Sequence, residues 1–81
     1  MARILYFATL VNQLGRSSED VDLPMSVTNV RSLLAWLRGR GEDWSRLLQD
    51  DRVRVTVNKQ FATPETTVSD KDEIALVPAR F

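Results

Sequence analysis

Val30, Leu33, Leu34 and Leu37 recur at i, i+3, i+4 and i+7, the spacing that lines one face of an α-helix. In a chain of 81 residues this is the principal amphipathic helix, so it must cover whatever sheet the remaining residues make. The spacing predicts a helix over about 29–39, with Thr28 or Asn29 as N-cap and Gly39 and Gly41 closing it. Trp44, Leu47 and Leu48 fall at helical spacing within Glu42 to Gln49, which predicts a short second helix over about 42–49, broken by Asp50-Asp51.

The clearest strand is Arg52 to Asn58, where Val53, Val55 and Val57 alternate with polar residues, the period of a half-buried strand. Arg3-Ile4-Leu5-Tyr6-Phe7-Ala8 is a continuous apolar run suited to a central strand. Thr9 to Leu14 then read as a turn or two of helix stopped by Gly15. Ser18 to Leu23 read as an edge strand, because Pro24 blocks further ladder bonding. A short strand is expected at Gln60-Phe61-Ala62, and a last one at Glu73 to Val77 after the Ser69-Asp70-Lys71-Asp72 turn. Parallel neighbours need a long crossover, and residues Thr28 to Asp51 supply it. The expectation is an α+β domain spanning 1–81, a mixed sheet of four to five strands under one main helix, which is the β-grasp arrangement, with an exposed tail at 78–81.

Charge and composition exclude several functions. Eleven basic and eleven acidic side chains leave no net field toward phosphate backbones or anionic lipid, so neither nucleic acid nor membrane is an expected partner. Arg38, Arg40, Arg46, Arg52 and Arg54 cluster, but Glu42, Asp43, Asp50 and Asp51 interleave with them, as on a mixed solvated face. With no cysteine and no histidine, the thiolate nucleophile, the usual general base and the commonest metal ligands are missing. Asp70, Asp72 and Glu73 therefore read as turn acids, and Thr9, Thr66 and Thr67 as turn residues with nothing to activate them; no catalytic residue and no metal site are expected. Trp36 and Trp44 read as cover for the core edge. No signal peptide and no apolar run of membrane-spanning length is present, so a cytoplasmic location is expected.

Leu5-Tyr6-Phe7-Ala8 with Leu14-Gly15, Leu33-Leu34-Ala35-Trp36-Leu37, Val55-Thr56-Val57-Asn58 and Asp70-Lys71-Asp72-Glu73-Ile74-Ala75-Leu76-Val77-Pro78 together resemble the small subunit of molybdopterin synthase, the MoaD family. The likeness runs through nearly the whole chain in order. It implies a ubiquitin-like sulfur carrier with no catalytic side chains and no stably bound cofactor. Its terminal carboxylate would be adenylated by an E1-like activating enzyme using ATP and converted to a thiocarboxylate. The large synthase subunit would then receive it and pass the sulfur to cyclic pyranopterin monophosphate. Phe7, Leu76, Val77, Pro78, Ala79, Arg80 and Phe81 are the expected partner-binding set, with the Phe81 carboxylate as the carrier terminus. The alternatives are a carrier for thiamine or a sulfur-containing amino acid, or a ubiquitin-like interaction module without acyl chemistry.

Carriers of this family end in two glycines, because the activating site closes tightly around the tail and a Cβ there would clash. Aligned on Pro78, this sequence stops where that pair would begin. Either the glycines lie outside this sequence, or the chain is a relative that carries no sulfur; an activating enzyme that tolerates a terminal phenylalanine is the third reading and the least favoured sterically. Two further departures stand out. Val11-Asn12 occupies a turn where the family often has an arginine and an acid, and Lys71 stands where the family has glycine, at a cost on the order of 1 kcal/mol if its backbone is left-handed.

Overall fold

The computed structural model describes residues 1–79. Its elements are β1 (Ala2–Tyr6), α1 (Thr9–Leu14), β2 (Ser18–Val21), α2 (Val30–Arg38), α3 (Glu42–Leu47), β3 (Val53–Val57), β4 (Gln60–Phe61) and β5 (Glu73–Pro78). The strands form one mixed sheet in the order β2-β1-β5-β3-β4. β1 and β5 run parallel at its centre, with Ile4 opposite Ile74 and Tyr6 opposite Leu76; β1–β2, β3–β5 and β3–β4 are antiparallel. This is the expected α+β β-grasp, with five strands.

α2 forms where the stripe predicts it. Asn29 is its N-cap: the Asn29 side chain accepts from the Ser32 amide at 2.9 Å, and the Ser32 hydroxyl accepts from the Asn29 amide at 3.1 Å. Val30, Leu33, Leu34 and Leu37 are buried against Ile4, Val55, Ile74 and Leu76 in one core, each leucine contributing about 2 kcal/mol. α3 is shorter than its sequence suggests, ending at Leu47, while Leu48 turns into the core fully buried.

Two turns differ from expectation. Lys71 does not adopt a left-handed backbone; the turn closes through Asp72 N–H to the Ser69 carbonyl at 3.1 Å, so no glycine is required. Positive φ falls instead on Asn58 (φ 52°) and Lys59 (φ 71°) in the two-residue loop joining β3 to β4. No described helix is long and apolar enough to cross a membrane.

Candidate partner-docking face and tail exit

Helices cover one side of the sheet; the other side is open. Along β1 the even residues Ala2, Ile4 and Tyr6 are buried, which sends Arg3, Leu5 and Phe7 to the open side. Along β5, Ile74, Leu76 and Pro78 are buried, so Ala75 faces out between Leu5 and Thr56, and Val77 faces out opposite Arg54. The result is a shallow apolar groove lined by Leu5, Phe7, Ala75 and Val77, rimmed by Thr56, Lys59 and Glu73. Phe7, 45% exposed, is its most prominent side chain.

A backbone hydrogen bond holds Phe7 there, and a strained residue follows it. The Phe7 amide donates to the Leu76 carbonyl at 3.2 Å, prolonging the β1–β5 ladder, and the next residue, Ala8, then sits at φ 54°, ψ −133°. Such a conformation costs a residue with a Cβ on the order of 1–3 kcal/mol. It reverses the chain abruptly, letting the Phe7 carbonyl accept from Leu10 N–H at 3.2 Å and α1 begin beside the last strand.

The final strand leaves the domain at the same end. Pro78 pairs with Val53 as the last residue of β5 and is buried, and the Ala79 amide donates to the Arg52 carbonyl at 2.8 Å. Pro78 also lines a cleft with Thr9, Leu10, Leu47, Asp51 and Arg52. The expected exposed tail at 78–81 is thus anchored at its first two residues, because β3 extends far enough to pair with them; Arg80 and Phe81 lie outside the described residues.

Of the expected partner-binding residues, the structure brings Phe7 and Val77 together on the open face. Leu76 is corrected: it is fully buried, since adjacent residues of an extended strand point to opposite faces and cannot both join one surface patch. Leu5 and Ala75 were missed, although alternation from Phe7 and Val77 would have found them.

The tryptophans edge the core, but they also enclose a cation. Arg40 lies 5.4 Å from the Trp36 ring centroid and 4.7 Å from that of Trp44, and Trp44 meets Tyr6 edge-to-face at 5.7 Å. Arg40 grips Glu19 through hydrogen bonds of 2.7 and 3.0 Å, and the Tyr6 hydroxyl donates to the same carboxylate at 2.6 Å. Burial opposes the Glu19 charge, yet the bonds from Arg40 and Tyr6 outweigh it and hold the carboxyl below its ordinary range. Burial and the Glu19 bond push the Tyr6 hydroxyl well above its usual value. The acids of the last turn are engaged likewise: Asp70 accepts from Leu23 N–H at 2.9 Å, and Asp72 from the Asn58 side chain at 2.9 Å.

Residues 4–80 match the ThiS family. The chain belongs to the ThiS family. ThiS-like proteins are small ubiquitin-fold sulfur carriers, generally non-catalytic, that work with partner enzymes. No curated protein matches this member of the family. Among solved structures, it is similar to small archaeal modifier protein 1 of Haloferax volcanii, at 28% identity over 95% of this chain and 94% of that one, with a TM-score of 0.75. A Pyrococcus furiosus protein provisionally identified as molybdopterin converting factor subunit 1 shares the fold at a TM-score of 0.79 and 22% identity, covering 95% of this chain and 94% of that one.

Proposed function

We propose that this ThiS-family carrier is the sulfur-carrier subunit of a molybdopterin synthase, acting in the cytoplasm. The observation that carries the reading is the placement of Phe7 and Val77 on one apolar face beside the point where β5 ends. A partner that seats on this face receives the following residues in a fixed direction. Val77, Pro78, Ala79 and the further residues Arg80 and Phe81 would lead the carrier end into the partner's active site. The carboxylate attacks the α-phosphate of ATP in the activating enzyme, releasing pyrophosphate; a sulfur donor then displaces AMP, leaving the thiocarboxylate. The large synthase subunit supplies the base and the pterin pocket.

Incubating the natural full-length chain with ATP, its activating enzyme and a sulfur donor should replace one terminal oxygen by sulfur in the intact mass. Adding the large synthase subunit and cyclic pyranopterin monophosphate should return the carboxylate and yield molybdopterin. Failure of the first step would leave a ubiquitin-like interaction module without acyl chemistry.

A second reading is favoured by the ThiS-family match and the modifier-protein likeness: a carrier of the same chemistry serving another acceptor, in thiamine or sulfur amino acid synthesis or on a protein. Thiocarboxylate formation without transfer to the pterin precursor would select it.

A further inference from the structure

The described arginines divide into two groups. Arg3, Arg16, Arg31, Arg38, Arg40 and Arg46 each stand 2.7–3.3 Å from a carboxylate oxygen. Arg52 and Arg54 have no such partner among the described residues, and both are exposed. Asp50, two residues before Arg52, is taken by Arg38 at 3.3 Å.

Their position ties them to the carrier face. Arg54 is the register partner of Val77, and alternation with buried Val53 and Val55 turns it to the open side. The Arg52 carbonyl holds the Ala79 amide, so Arg52 sits at the strand's exit. Arg54 on β3 and Arg52 in the turn leading into it are like charges two residues apart, and neither gains an ion pair from a described carboxylate. In a chain whose formal charge is zero, they set two cations without a described carboxylate partner beside an apolar patch.

We propose that Arg52 and Arg54 form a cationic strip that docks a carboxylate-bearing surface of the partner protein, set against the Phe7–Val77 patch. This rests on the carrier reading above. An apolar centre with a charged rim is the anatomy of a protein interface. A phosphate site is the poorer match, because both arginines are exposed and no described buried polar group converges between them. The partner's rim opposite Val77 and Ala79 therefore carries aspartate or glutamate.

The test uses the full-length chain with the activating enzyme and the large synthase subunit of the same genome. The double variant Arg52→Glu/Arg54→Glu should melt with the wild type, yet associate about tenfold more slowly with its partner at low salt, the two rates converging at high salt. Arg52→Lys/Arg54→Lys keeps the charge and should give zero-length carbodiimide cross-links from the new lysines to aspartate or glutamate of the partner, located by mass spectrometry. Equal association of wild type and the reversed variant overturns the strip and leaves the carrier reading standing. Cross-links only to acids of this chain, or competition by inorganic phosphate at fixed ionic strength, also overturn the strip. Absence of wild-type binding to either protein overturns both readings.

Discussion

Arg40 and Glu19, 21 residues apart in sequence, close on each other through two hydrogen bonds, joining the end of the helical segment to the edge strand β2. The Glu19 side chain is 12% exposed and that of Arg40 25%, so solvent screens the pair little compared with the chain's exposed ion pairs. Tyr6 donates to the same carboxylate, and two tryptophan rings close over the guanidinium.

The pair makes stability depend on pH with a definite sign. Because the folded Glu19 carboxyl titrates below its unfolded value, its contribution is fully present above the ordinary glutamate range and is lost as pH falls through the folded value. Glu19→Gln should cost about 2 kcal/mol at neutral pH, and the gap to wild type should narrow as pH drops below about 4. Urea midpoints of the two proteins across this range measure it; a gap independent of pH would contradict the assignment.

Tyr6 gives the opposite limb. Its hydroxyl stays protonated in the fold at a pH where the unfolded chain ionises, so stability is full below about pH 10 and declines as pH rises beyond it. Tyr6→Phe should flatten that alkaline decline while losing the bond to Glu19. Thermal melts at increasing alkaline pH give the comparison.

Ala8 and Lys59 are strained without glycine's freedom, at φ 54° and φ 71°. Lys59→Gly completes the Asn-Gly pair that two-residue hairpin loops favour and should stabilise the domain by about 1 kcal/mol. Ala8→Gly gains a similar relief, reduced by the extra entropy of the unfolded chain. Denaturant unfolding of each variant checks both, and a destabilised Lys59→Gly would show that the turn is not strained.

What the residues alone disclose follows the range of the forces involved. The α2 stripe, a cap at Thr28 or Asn29 and the β3 alternation are legible because each depends on neighbours within a turn or two of chain, and the structure selects Asn29. The Glu19–Arg40–Tyr6 cluster is invisible at that range, since its members meet only after the sheet closes. Ala8 left no signal because alanine has no preference for positive φ, and its backbone is set by where β1 must end relative to β5. The open apolar face was half legible: Phe7 and Val77 both lie on it, whereas Leu76, adjacent to Val77 in sequence, is sent by strand alternation into the core.

That separation gives the sharpest test of the face. Phe7 is 45% exposed and Leu76 fully buried, although the Phe7 amide bonds directly to the Leu76 carbonyl. Truncating Leu76 to alanine leaves a core cavity and should cost about 2–5 kcal/mol, with any loss of partner binding following from unfolding. Phe7→Ser removes no core atom, so its stability should stay within about 1 kcal/mol of wild type. If the aromatic ring is the anchor of the interface, the same change should weaken binding to the partner by about 2 kcal/mol, some thirtyfold. Calorimetric titration against the activating enzyme and the large synthase subunit, set beside thermal melts, separates the two effects. A Phe7→Ser protein that binds as tightly as wild type would move the docking surface off the open side of the sheet.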